Sequence, residues 1–80
     1  MTPEEVRDRV SAEIDGAQVE VFGEGDRFEI RVVSPAFEGL KTLQRHKLVN
    51  GCIQDWISDG SIHAVSIRTR TPEEQANAGD

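Results

Sequence analysis

Eighty residues suffice for one small domain, near the lower limit for burying a self-sufficient core, and the single cysteine, Cys52, excludes an internal disulfide. A formal charge of −6 disfavours wholesale binding of nucleic acid, because that affinity comes largely from cations displacing counterions. No apolar run approaches the ~18 residues of a membrane span and no charged-then-apolar leader opens the chain, so it reads as a cytoplasmic protein.

The tetrapeptide Thr2-Pro3-Glu4-Glu5 is a helix start. Thr serves as N-cap, Pro takes the first helical position, and Glu three residues after the cap closes a capping box. The same tetrapeptide at Thr71–Glu74 repeats the start and not a larger unit. Val6, Val10 and Ile14 recur at i+4, which predicts an amphipathic helix ended by Asp15-Gly16. Alternation follows. Val19 and Val21 share one face against Glu20 and Phe22, Gly23 to Asp26 turns the chain, and Phe28, Ile30 and Val32 alternate with Glu29, Arg31 and Val33. Ser34-Pro35 opens a short turn or helix carrying Phe37, broken at Gly39.

From about Lys41 to Ser58 the spacing is helical again, with Leu43, His46, Val49, Ile53 and Trp56 on one stripe that Cys52 and Ile57 widen. Asp59-Gly60 stops this helix. A third strand places His63, Val65, Ile67 and Thr69 on one face and Ala64, Ser66, Arg68 and Arg70 on the other. A short last helix is expected to fray from about residue 76 to residue 80. The order α-β-β-α-α-β-α has no linker long enough to divide it, so residues 1–80 form one α+β domain of two layers. Helices cover the apolar face of a three-stranded sheet. The helical crossover returns the chain to the start of the second strand, so the third runs parallel to it and the sheet is mixed.

That topology brings His63 to the same rim as the Gly23–Asp26 turn, near Glu24, Asp26 and Arg27. A lone histidine most often packs half-buried and bonds a loop carbonyl; its functional counterpart is a neutral imidazole offered to a metal where a partner can reach it. His46 on the helical stripe and Cys52 beside Val49 and Ile53 read as structural. There is no nucleophile elbow, Walker loop or His-Glu zinc motif, and two histidines with one cysteine at these spacings do not make a zinc site. No enzyme is expected.

Phe37-Glu38-Gly39, then Arg45-His46-Lys47-Leu48-Val49-Asn50, Ile62-His63-Ala64 and Thr71-Pro72, in this order and spacing, resemble the BolA family, and with the preceding hairpin the likeness covers almost the whole chain. The resemblance implies a class II KH-like fold and a partner protein in place of a reaction. Proteins of this kind pair with monothiol glutaredoxins carrying a Cys-Gly-Phe-Ser motif. The pair holds a bridging [2Fe–2S] cluster, with thiolates from the glutaredoxin and from glutathione and the histidine of Ile-His-Ala, here His63, from the BolA-like chain. The role implied is an adaptor in iron–sulfur cluster trafficking or iron sensing, a monomer or weak homodimer when alone, with no cluster of its own.

Many family members carry a second His or Cys ligand in the loop between the first two strands; Gly23-Glu24-Gly25-Asp26-Arg27-Phe28 holds neither. Glu24 and Asp26 offer oxygens, harder ligands that suit a cluster iron less well. Arg27 stays protonated and is expected instead to pair with a glutathione carboxylate. Lys41, Arg45 and Lys47 form the expected docking surface for glutaredoxin and glutathione. The alternative function is nucleic-acid binding by a KH-like transcriptional regulator. It rests on Lys41, Arg45 and Lys47 and on the sheet arginines Arg31, Arg68 and Arg70, against a chain with no GxxG clamp.

Overall fold

The computed structural model describes residues 1–78. Helix α1 (Pro3–Glu13) begins with the capping box: the Thr2 N–H donates to Glu5 Oε1 at 2.9 Å and the Glu5 N–H to Thr2 Oγ1 at 3.2 Å. Strands β1 (Gln18–Glu24) and β2 (Arg27–Val33) form the hairpin, a single 3-10 turn spans Pro35–Phe37, and helix α2 (Thr42–Ser58), strand β3 (Ala64–Arg70) and helix α3 (Pro72–Ala78) follow. α3 thus holds its helical form to Ala78, past the expected start of fraying, while residues 79–80 lie outside the described residues. Among the described residues no helix is long and apolar enough to cross a membrane.

The sheet order is β1-β2-β3, with β1 antiparallel and β3 parallel to β2. β2 is central, and this decides the core. Its inward residues Phe28, Ile30 and Val32 are buried, whereas Val19, Val21, Val65 and Ile67 on the edge strands are only half-buried. Val6, Val10 and Ile14 from α1, Val49, Cys52 and Ile53 from α2, with Phe37 and Ile62, complete the core. Buried Ser34 ties three segments together. Its Oγ donates to the Asp15 carbonyl at 2.6 Å and accepts from the Ala36 N–H at 3.0 Å, while its N–H donates to the Arg70 carbonyl at 3.0 Å.

Two placements differ from the sequence pattern. Leu43, at the phase of the buried stripe, is 67% exposed. It lies in the first turn of α2, where helical periodicity continues but nothing packs against it. His63 precedes β3 instead of heading it, and it is exposed; the ladder begins with Ala64 opposite Arg27. Ile62 takes the inward position, 1% exposed, with its N–H donating to the Trp56 carbonyl at 3.0 Å. Ile62 and His63 precede the ladder and so lie outside its alternation; Ile62 fills the core while His63 stays at the surface.

Gly23 is required by the hairpin. Its φ is 132°, and a Cβ there would lie 2.2 Å from the Arg27 carbonyl oxygen, a backbone atom fixed in the ladder. Gly23→Ala is expected to lower the urea midpoint by the equivalent of about 2 kcal/mol or more at unchanged slope. Gly25, with φ 65° and open space around it, should accept asparagine at a cost below about 1 kcal/mol. Equilibrium urea unfolding of both variants checks this, and equal losses would show that the Gly23 contact is relieved by local movement.

Candidate functional site

The approach to His63 is built by the end of α2. The Asp59 N–H donates to the Asp55 carbonyl, Gly60 adopts φ 84°, and Asp59 Oδ1 accepts from the Ser61 N–H at 2.8 Å. That bond from the Ser61 backbone holds the Asp59 carboxyl below its ordinary range. Ile62 is then anchored in the core, and the Asp26 carbonyl accepts from the N–H of both His63, at 2.7 Å, and Ala64, at 3.2 Å. The histidine backbone is thus held on both sides.

The imidazole itself is uncommitted, making no hydrogen bond or ion pair among the described residues. Beside it stand the exposed residues Glu24, Asp26 and Arg27 of the β1–β2 loop, the rim that the topology predicts. A neutral imidazole presents one ring nitrogen as a donor to a metal. Among the described residues no three His, Cys, Asp or Glu side chains converge on a metal-sized space.

The basic residues of α2 are elsewhere. Lys41 and Lys47 are exposed at the start of the helix, while His63 lies by its end, where Ile62 bonds to Trp56. At 1.5 Å per residue, Lys47 is roughly 16 Å and Lys41 roughly 25 Å along the axis from that end. Arg45 is engaged within the chain: its Nη1 and Nη2 donate to Glu74 at 2.7 and 3.2 Å, its Nε donates to the Leu40 carbonyl at 2.8 Å, and its side chain is 12% exposed. It fastens α3 to α2. His46 is half-buried. Cys52 is buried with its Sγ donating to the Leu48 carbonyl at 3.3 Å, and burial pushes its thiol up, away from thiolate reactivity.

The face of the sheet turned away from α1 and α2 carries most of the remaining charge. Glu29 Oε2 pairs with Arg31 Nε at 2.5 Å and lies 3.7 Å from Arg68 Nε, and Arg70 donates to Gln75 Oε1 at 3.1 Å. On this face Phe22 is 48% exposed, with the Arg31 guanidinium 5.0 Å from its ring centroid. The sequence pattern places Phe22 on the outer face; it does not show that Phe22 shares a row with Ser66, because the pairing of Phe22 with Glu29 and of Glu29 with Ser66 decides that.

An α+β domain with a mixed three-stranded sheet and an exposed histidine just before its parallel strand is the class defined by these features. A sequence profile of the BolA-like protein family matches residues 5–74, and the chain belongs to the BolA family. It is 33% identical over 78 residues to an uncharacterized protein from the rpoN-murA intergenic region of Acinetobacter guillouiae, covering 98% of this chain and 94% of that one. In structure it is similar to a BolA protein homologue from Coxiella burnetii, with TM-score 0.84 and 31% identity over 95% of this chain and 97% of the other. It also resembles the BolA domain of SufE1 from Arabidopsis thaliana, with TM-score 0.79 and 30% identity over 90% and 93% of the two chains.

The Arg45–Glu74 pair makes stability depend on acid pH. The hydrogen bond from Arg45 holds the Glu74 carboxyl below its usual range, and Arg9 does the same for Asp55. A carboxyl whose folded-state pKa is depressed contributes stability above its unfolded pKa of about 4 and loses it as pH falls through the folded value. Glu74→Gln keeps an oxygen for the Thr71 cap but removes this titration. Its urea midpoint should lie below that of wild type at neutral pH, and the two should converge as pH falls below about 4. A constant gap across the range would mean that the loss comes from packing.

Proposed function

We propose that this chain is a non-enzymatic adaptor that binds a monothiol glutaredoxin and shares with it a glutathione-ligated [2Fe–2S] cluster, in iron–sulfur cluster trafficking or iron sensing. The observation that carries this reading is His63 itself: exposed, held by its backbone at the head of β3, and with an imidazole that makes no hydrogen bond among the described residues. Membership of the BolA family supports it. The donor set fits the cargo, since imidazole replaces thiolate on one iron of such clusters in Rieske centres.

His63 offers a ring nitrogen to one iron, and the thiolates come from the glutaredoxin and glutathione. Asp26 acts through its carbonyl, which fixes the histidine backbone, while the exposed Glu24 and Asp26 carboxylates wall the rim without matching the softness of a cluster iron. The exposed Arg27 is the cation that would meet an incoming carboxylate. Nucleic-acid binding has less support here, because Glu29 engages two of the sheet arginines and Arg45 is spent on Glu74.

The test is anaerobic. A cluster-loaded Cys-Gly-Phe-Ser glutaredoxin with glutathione is mixed with wild type or His63→Ala, and visible circular dichroism is recorded. Wild type should give a new spectrum that the variant does not, and His63→Cys should restore a cluster signal with a shifted band. Identical spectra for wild type and His63→Ala would remove His63 as a ligand. Failure to form any complex, together with salt-sensitive binding of single-stranded oligonucleotides, would favour the nucleic-acid alternative.

A further inference from the structure

We infer that the partner docks on the open face of the sheet at its His63 end, around Phe22, Arg27, Ala64 and Ser66, and presents there an apolar side chain beside a carboxylate. This rests on the proposed function, in which the partner completes the metal shell at His63.

Sheet register brings these four residues together. Glu24, Arg27 and Ala64 lie side by side across the three strands, and Phe22, Glu29 and Ser66 form the next row on the same face. Ala64 directly follows His63, so the face begins at the residue after the histidine. Together with Phe22, Arg27 and Glu29, whose carboxylate is engaged by Arg31, the small side chains of Ala64 and Ser66 and the bare backbone of Gly23 line a shallow depression. Its openness to solvent suits a protein surface better than an enclosed small molecule.

The chemistry of the occupant follows from the walls. Phe22 is an aromatic ring left 48% exposed, and exposed aromatic and arginine side chains around a small-residue floor are the composition of interface hot spots. It calls for an apolar side chain. Arg27 is exposed and makes no ion pair among the described residues, unlike Arg31 and Arg68, which Glu29 engages. It calls for a carboxylate on the partner.

Reach separates this surface from its rival. A standard interface covers about 800 Å2 on each partner, a disc of roughly 16 Å radius. At strand spacings of about 4.8 Å, Arg27 lies one strand and Phe22 two strands from β3, well inside a disc centred on His63. The exposed Leu43 and Lys41 at the start of α2 lie outside it, and Lys47 is at its margin.

The experiment is isothermal titration of cluster-free Cys-Gly-Phe-Ser glutaredoxin, with glutathione, into wild type, Phe22→Ser, Arg27→Glu, Leu43→Ser and Lys47→Glu. All four positions are exposed, and far-ultraviolet circular dichroism confirms that each variant is folded. Phe22→Ser and Arg27→Glu should each weaken binding roughly tenfold, with Leu43→Ser and Lys47→Glu within about twofold of wild type. The opposite ranking would overturn the inference while leaving the cluster reading intact. If wild type binds no glutaredoxin, the proposed function falls and this surface falls with it. If the ranking holds but His63→Ala leaves the cluster spectrum unchanged, the docking face stands and only the ligand assignment is lost.

Discussion

Two neighbouring N–H groups, those of His63 and Ala64, donate to one acceptor, the Asp26 carbonyl, and there the chain enters its parallel strand. A parallel strand cannot be reached by a hairpin, so α2 must carry the chain from one end of the sheet back to the other. The end of α2, the β1–β2 loop and the head of β3 therefore meet at a single rim. Because β2 is central, the loop belonging to its first residues is the one that the crossover reaches. The site geometry depends on this one junction.

Around it the small core is closed by economical means. Each helix start that follows Thr-Pro carries its capping box, and Ser34 joins the end of α1, the 3-10 turn and the end of β3 through three hydrogen bonds. Such bonds contribute about 1 kcal/mol each, a useful fraction of the stability of so small a domain. Several charges are spent similarly. Arg9 bonds to Asp55 at 2.6 Å and lies 3.5 Å from the Trp56 ring centroid, joining α1 to α2, while Arg45 joins α2 to α3. A chain with formal charge −6 thus uses two of its cations, Arg9 and Arg45, to hold helices together, while Arg27 is exposed at the rim.

Burial and exposure at consecutive positions shape the rim. Ile62 goes into the core, while His63 stays exposed with its backbone held and its ring making no hydrogen bond among the described residues. On the proposed reading, a backbone held in this way would leave only the side-chain rotamer to be ordered when a partner binds, which is how preorganisation raises affinity without additional contacts. An inward histidine would have been desolvated and closed to any partner.

The amino-acid sequence by itself determined most elements: helix starts from Thr-Pro-Glu-Glu, the hairpin from strict alternation and a glycine turn, the long helix from its apolar stripe, and the parallel third strand from the length of the crossover. These are local patterns, or consequences of chain reach, and so they are legible in one dimension. The family resemblance likewise rests on short motifs at fixed spacing, including Ile62-His63-Ala64. Only the tertiary structure decided which side chains those patterns bury or engage. Periodicity assigned Leu43 and His63 to the inner face, but burial needs a neighbour on the other side. None covers the first turn of α2, and Ile62 has already taken the inward place before β3. Arg45 looked like a free cation because its partner, Glu74, lies on a different helix, and how far Lys41 and Lys47 stand from His63 is set by the length of α2 between them. Periodicity reports a phase along one element; the distance between elements, and what fills it, exists only once they are packed.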